Sequence, residues 1–339
     1  MNDFDWLPSL NDYKNNDKNV EIVTTRQGDV SLPELVPKSK SKLNSISPFK
    51  SGGSSAISKS ARKRALDFAH PVDSQIIKTL DNPAINSVFN KVVQASIDAG
   101  HGLTLASGIH VSRETYNDLY DIILECADSL DIPVPYVVIS NAQSGINAYT
   151  AGTDQFAFIV IGGLMPFVMK PEELKFVIGH ECGHLALGHV VYHTAGTILG
   201  SAGGLVPLVG KAIAKAVQYP MNAWSRRSEI SADRAGLICC KDIEVAKRAL
   251  FRLEAGFMNI DNIDIDAYVA ESERVLENMD LGMIGEFTHS HPLIPKRIKA
   301  LDNFARSEAY ARAVGNAYSE DLLTDKELYD ETERIIAIM

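Results

Sequence analysis

FVIGHECGHLALGH, residues 176–189, places three histidines and one glutamate in an otherwise apolar run. Burying such groups is costly unless they are hydrogen-bonded, paired or bound to a metal. The preceding KPEELK carries Pro171 where the first turn of a helix tolerates proline. The stretch therefore predicts a buried helix whose polar side chains are either hydrogen-bonded core residues or ligands of a metal.

The spacing of the polar residues favours the metal. His180 and His184 are four residues apart, so on a helix they differ by about 40° in azimuth and both imidazoles can reach one point. Glu181 lies about 100° round from His180, where a base would take a proton from zinc-bound water. His189 is half a turn away from His180 and cannot share the ion on a regular helix, so we assign it a structural role.

A third ligand is expected 45 residues beyond His184, in WSRRSEISADRAGL. Glu229 and Asp233 are i and i+4 on one helical face. Glu229 would complete a His, His, Glu zinc site, and Asp233 would accept the free ring N–H of a ligand histidine and fix its tautomer. Taken alone, such a pair is far more typical of an exposed helix face, and only the order of the two motifs favours a metal site.

Short β-branched and aromatic runs, VPYVVIS and QFAFIVIGG, predict a small sheet of three or four strands over residues 134–163. Helical periodicity predicts further helices at about 223–239, 242–256, 266–280, 293–315 and 322–337. We expect a helix in SRETYNDLYDIILECADSL as well, capped by Ser112. The fold class is α+β, with most of the helices packed against a small sheet.

GHECGH, SEISADRAG and HSHPLIPKRI together resemble the zinc gluzincin peptidases that include HtpX and the CAAX prenyl-protein endoprotease, over about residues 76–300. The resemblance implies a mainly helical, zincin-like metallopeptidase domain whose active-site helix carries the HExxH motif. It implies one Zn²⁺ per chain, a general base and a carboxylate behind the ligands. These roles would fall on His180, His184 and Glu229 as ligands, Glu181 as base and Asp233 behind them.

The resemblance also implies where a substrate lies. Asn147, Ala148 and Tyr149 would lie on an edge strand against which a peptide is laid out. His291 would be a substrate or oxyanion contact, with His289 as the alternative. An edge strand binds main chain more than side chains, so we expect cleavage of extended or unfolded polypeptide, as in protein quality control.

The expected reaction is endopeptidase hydrolysis with Glu-activated zinc-bound water as the nucleophile. The alternative is a zinc-containing binding or chaperone-like module without turnover. Glu181 separates the two, because a structural zinc site has no use for a carboxylate beside an open position.

The chain divides by composition into a flexible N-terminal arm (1–64), the metallopeptidase domain (65–315) and an acidic C-terminal helix (316–339). The arm is rich in Ser, Lys, Pro and Gly; it is a plain leader, a docking segment or a self-inhibitory pro-segment.

A net charge of −10 argues against a nucleic-acid partner, and four sparse cysteines favour a reducing, cytoplasmic compartment. For the uncharged segment 194–210 we favour a covered loop over a membrane hairpin, and the oligomeric state stays open.

Overall fold

The computed structural model describes residues 57–71, 73, 102–141, 145–152, 157–194, 211–256, 259–278, 292–317, 319 and 321–336. Within the helix that begins at residue 211, side chains are described from residue 224. All described residues belong to one compact unit, Phe49–Met339. The expected contacts His291 and His289, residues 195–210 and arm residues 1–56 lie outside the described part of the chain.

The helices and strands follow one another in chain order: α1 Lys59–Ala65, α2 Gly102–Ser107, β1 Ile109–His110, α3 Asn117–Ser129, β2 Tyr136–Ser140, β3 Ala148–Gly152, β4 Ala157–Gly162, α4 Met165–Val168, α5 Pro171–Leu187, α6 Lys211–Cys240, α7 Ile243–Ala255, α8 Ile265–Glu277, α9 Ile294–Ala305, α10 Glu308–Val314 and α11 Asp325–Ile336. This mainly helical arrangement with a small sheet confirms the α+β class.

The sheet has four strands in the order β1-β2-β4-β3, so β3 lies at one edge. Strands β2 and β4 are parallel, while β3 runs antiparallel to β4 with Thr150 opposite Ile159. Alternate residues of β4 face opposite sides. Ile159 and Ile161 join the main core beneath the helices, whereas Phe158 and Val160 pack in a smaller cluster with Leu105 of α2. The sheet is therefore covered on both faces, and its β3 edge runs beside α5.

Helix α5 has a defined start and a defined end. Pro171 is its first residue, and the Lys170 backbone N–H donates to the Glu173 carboxylate at 3.1 Å. At the other end Gly188 has φ +76°, and the N–H of His189 donates to the carbonyl of His184 at 3.0 Å. This is the Schellman arrangement, which needs a left-handed residue and turns the chain back over the last helical turn. It brings His189 next to His184.

Helices α5 and α6 pack against each other because small residues line both surfaces. A Cβ on Gly183 would lie 2.6 Å from the Cβ of Ala235 and 3.1 Å from the Cα of Ala232. A Cβ on Gly179 would lie 2.7 Å from the Cβ of Cys239. The two backbones approach too closely for a side chain at either glycine. This contact presents the polar residues of the two motifs to each other.

Three local expectations differ from the structure. Ser112 does not cap α3: its hydroxyl accepts from the N–H groups of Glu114 and Thr115 in a separate turn, and the helix begins at Asn117. Strand β1 is only two residues long and lies outside the range 134–163 expected for the sheet. The expected helix 293–315 is broken, because Ser307 caps α10 by accepting from the N–H of Tyr310 at 3.2 Å.

The ends of the described chain are packed on the body of the fold. Helix α1 runs through the boundary expected at residue 64, and its Ala61 and Ala65 are buried. In α11, Leu328 and Ile336 are buried, and the helix contacts α9. Among the described residues, no helix combines the length and the apolar character required to cross a membrane. All four cysteines are free thiols.

Candidate active site

Three potential metal ligands converge where α5 crosses α6. The Nε2 atoms of His180 and His184 lie 3.1 Å apart. The Glu229 carboxylate lies 3.6 Å from the Nε2 of His180 and 3.5 Å from that of His184. All three side chains are buried, and the structure thus brings together the three residues expected to bind the ion.

The separations fit a small tetrahedral ion. For ligand bonds of about 2.0–2.1 Å, tetrahedral geometry puts ligand atoms about 3.3 Å apart, close to the three distances between His180, His184 and Glu229. The Nδ1 atoms of both rings have other partners, Asp233 and His189. Both Nε2 atoms therefore face the carboxylate, as a His, His, Glu metal site requires.

Asp233 lies directly behind His180. Its Oδ1 is 2.9 Å from the Nδ1 of His180. Burial by itself would lower the pKa of His180, but the hydrogen bond with Asp233 and the charge of Glu229 raise it above its usual value. For His184, burial is the main effect and lowers the pKa.

Arg297 of α9 pairs with two of the buried carboxylates, Asp233 and Glu229. Its Nε and Nη2 atoms donate to the two oxygens of Asp233 at 2.8 and 2.6 Å, and its Nη1 lies 3.4 Å from Glu229. Burial would raise the pKa of Asp233, but the nearby guanidinium of Arg297 keeps it below its usual value. Asp233 is thus held as an ionised acceptor that fixes the N–H of His180.

Glu181 follows His180 on α5 and is held by the edge strand. The Thr150 hydroxyl is 2.5 Å from Oε2 of Glu181 and 3.3 Å from its backbone carbonyl. Thr150 belongs to β3, so the strand nearest to α5 is tied directly to the residue expected to act as the base.

The other expected residues lie on or beside this strand. Ala148 and Tyr149 are the first two residues of β3 and are partly exposed. Asn147 precedes the strand and is exposed, and its carbonyl accepts from the N–H of Gly162 at 2.8 Å. All three are therefore placed at the sheet edge near Thr150, where an extended chain could be added.

Three site residues were not predicted. Arg297 had a weak signal: it shares the apolar face of α9 with Ile298 and Leu301, and an arginine on such a face is rarely buried without a partner. Thr150 and Asp73 had no sequence signal, because each contacts its partner only in the folded chain. Asp73 lies 2.8 Å from the ring of His189, a residue 116 positions away, and Thr150 contacts Glu181.

Comparison with known proteins agrees with this geometry. The model of peptidase family M48 matches residues 113–305. The chain is 30% identical over 259 residues to the plastoglobule-localized metallopeptidase 48, chloroplastic, of Arabidopsis thaliana, covering 72% of this chain and 74% of that protein. It is 26% identical to protease HtpX homolog 1 of Streptomyces coelicolor, covering 61% of this chain and 77% of the relative. No solved structure gives a significant match.

Proposed function

The chain belongs to peptidase family M48 and is a metalloprotease, and from this premise we propose that it is a zinc-dependent endopeptidase acting on extended or unfolded polypeptides. The observation that carries the proposal is the convergence of His180, His184 and Glu229 beside a carboxylate that the edge strand holds. A structural metal site would leave Glu181 without a purpose.

We assign the ligands to His180, His184 and Glu229 because the two Nε2 atoms lie 3.1 Å apart and each lies 3.5–3.6 Å from an oxygen of the Glu229 carboxylate. Two imidazoles and one carboxylate suit Zn²⁺ and leave a position open for catalysis. When bound, Zn²⁺ supplies a Lewis acid that lowers the pKa of water to about 7.

The rest of the chemistry belongs to the chain. The Glu181 carboxylate accepts a proton from the attacking water and returns it to the leaving amine. Thr150 keeps one oxygen of this carboxylate in place. Asp233, held by Arg297, keeps the proton of His180 on Nδ1. His291 is the proposed contact for the developing oxyanion, worth several kcal/mol in comparable sites.

The substrate class follows from the edge strand. A peptide added beside Asn147, Ala148 and Tyr149 would be bound through its main chain, so any sufficiently extended segment fits. Folded proteins offer few such segments, which favours unfolded or flexible polypeptide as the substrate.

The test is cleavage of a mixed peptide library, read by mass spectrometry, with zinc content measured on the same samples. We expect wild type to cut at many sites with modest sequence preference, and the Glu181→Gln variant to bind zinc without cutting. The matched control is Glu172→Gln, because Glu172 is an exposed residue of the same helix and its loss should change nothing.

Each other outcome would count against a particular part of the proposal. Zinc binding without cleavage in every variant would favour the binding module, provided that removal of residues 1–56 restores no activity. The truncated protein should begin at Ile57, since Ser58 caps α1 and Ile57 packs on the core. Cleavage by Glu181→Gln at the wild-type rate would remove Glu181 as the base.

A further inference from the structure

A buried line of polar groups runs away from the candidate metal site behind His184. The Nδ1 of His184 lies 3.0 Å from the Nδ1 of His189, and the Nε2 of His189 lies 2.8 Å from Oδ2 of Asp73. The other oxygen of Asp73 accepts from the indole N–H of Trp224 at 2.6 Å. Asp73, His189 and Trp224 have no exposed surface.

We propose that Asp73 and His189 are positioning residues that set the tautomer of His184 through a relay of hydrogen bonds and so aim its Nε2 at the metal. This inference rests on the proposed function, because it concerns a ligand of the proposed zinc site. It gives His189 a defined role in place of the general structural one.

The positions of the protons follow by elimination. An ionised Asp73 can only accept, so Nε2 of His189 must carry a hydrogen. A neutral imidazole then has its lone pair on Nδ1, and this lone pair faces Nδ1 of His184. His184 must therefore carry its hydrogen on Nδ1, which leaves Nε2 with the lone pair that a metal needs.

The two ligand histidines are thus oriented in related ways. His180 is hydrogen-bonded directly to a carboxylate, with its Nδ1 2.9 Å from Oδ1 of Asp233. His184 is linked to the carboxylate of Asp73 through the imidazole of His189. The charge on Asp73 is supported by its surroundings: burial would raise its pKa, but the hydrogen bonds that its carboxylate accepts from His189, Ser231 and Trp224 lower it.

A second metal site is the competing interpretation of the same histidines. Nitrogen atoms of His184, His189 and His193 lie close enough to share an ion. That ion would require His184 to lose both ring hydrogens if it also binds the first metal. Moreover, the Ser228 hydroxyl lies 2.8 Å from the carbonyl of Ser225 and 2.7 Å from Nε2 of His193. If the hydroxyl donates to that carbonyl, its oxygen accepts from His193, and the imidazoles of His184, His189 and His193 can all stay neutral and hydrogen-bonded.

The sharpest variant is Asp73→Asn, which keeps the shape but reverses the direction of the relay. The new amide would accept from Trp224 with its oxygen and donate with its nitrogen to Nε2 of His189. His189 would then carry its hydrogen on Nδ1, facing the Nδ1–H of His184, so both could not persist. We expect zinc affinity to fall about 10- to 100-fold, the range found for groups that orient metal-binding histidines.

The conservative variant is His189→Gln, whose amide can accept from His184 and donate to Asp73. It should retain most of the affinity, whereas His189→Leu should lose as much as Asp73→Asn. His193→Gln is the matched control, because His193 packs against the ring of His184 at 4.9 Å between centroids but lies outside the relay. It should bind zinc as wild type does.

Zinc affinity is measured by competition with a chromophoric chelator. Nitrogen-15 NMR of histidine-labelled protein reports which ring nitrogen of His184 carries the hydrogen, which a merely structural role would not alter. Wild-type affinity in Asp73→Asn, or a hydrogen on Nε2 of His184 in the wild-type metal-free protein, would overturn the proposal. So would two zinc ions per wild-type chain with one lost in His193→Gln.

These outcomes are independent of turnover. If no variant cleaves peptide but affinity follows the pattern above, the relay stands and the proposed function fails. If wild type cleaves and Asp73→Asn binds zinc equally well, the function stands and the relay fails. Should Asp73→Asn not fold, the comparison of His189→Gln with His189→Leu decides the matter in the same way.

Discussion

The bond between Thr150 and Glu181 makes a prediction that separates chemistry from metal binding. Thr150→Val replaces the hydroxyl by a methyl group of similar size and leaves Oε2 of Glu181 without this donor. Because neither residue is among the proposed ligands, zinc content and affinity should not change. The variant therefore probes the position of the base alone.

The expected size of the effect follows from the strength of the bond. A hydrogen bond to a charged group contributes about 1.5–3 kcal/mol. If this contribution is lost in the transition state, the rate falls about 10- to 150-fold, at about 1.36 kcal/mol for each factor of ten. The loss should appear in kcat, because Thr150 contacts the proposed base Glu181 and not the substrate. Thr150→Ser keeps the hydroxyl and should retain most of the wild-type rate.

The assay is steady-state cleavage of a fluorogenic peptide chosen from the library cuts, with zinc content and thermal unfolding measured for each variant. A raised KM with unchanged kcat would show that the substitution disturbs β3 as a peptide-binding edge and not Glu181. A Thr150→Val enzyme that is folded, zinc-loaded and within twofold of wild type in kcat would refute the reasoning.

Three further predictions concern the ligands, pH and packing. Glu229→Gln should weaken zinc binding more than Asp233→Asn does, because it removes a proposed ligand; equal affinities in a chelator competition would exclude Glu229 from the ligand set. Burial and then the charges of Arg234 and Arg227 lower the pKa of His70 from its ordinary 6.5 to about 3, despite the nearby carboxylates of Asp73 and Glu333, so between about pH 6.5 and pH 3 the unfolded chain carries a proton that the folded chain does not. The free energy of unfolding should therefore drop by about 2 kcal/mol between pH 7.5 and 5 from this group. Denaturant titrations at several pH values should show that the free energy of unfolding of His70→Gln depends less steeply on pH than that of wild type. Gly183→Ala would put a methyl group 2.6 Å from the Cβ of Ala235 and should cost about 1–3 kcal/mol of stability; an unchanged denaturation midpoint would contradict the close helix contact.

The helices and the candidate ligands were predictable because their signals are local. Pro171 and Gly188 mark the two ends of α5, and the i, i+4 spacing puts His180 and His184 on one face. The inference for the two histidines needs only the geometry of a single helix. Glu229 needed in addition the order of the two motifs along the chain, because a Glu and Asp at helical spacing are by themselves typical of an exposed face.

The supporting residues could not be predicted because their contacts are long-range. Asp73 reaches His189 across 116 positions, and Thr150 reaches Glu181 across 31. Neither residue type is unusual where it occurs, so no periodicity marks it. Long-range contacts also accompany one feature of local structure that was not predicted. The Ser307 hydroxyl caps α10 and so interrupts an otherwise continuous helical pattern, and Ser307 forms an isolated β-bridge with Leu323.

The balance of buried charge suits this cluster of side chains to a divalent cation. Glu181, Glu229 and Asp233 are all buried, and Arg297 is the buried cation paired with Asp233. Counted as ionised, three carboxylates and one guanidinium leave two negative charges in a region where uncompensated charge is costly. A metal carrying two positive charges would neutralise the cluster, while a monovalent ion would leave it negative. Arg297 is thus as much a part of the proposed metal site as the proposed ligands, since without it the same carboxylates would exceed the charge of a single zinc ion.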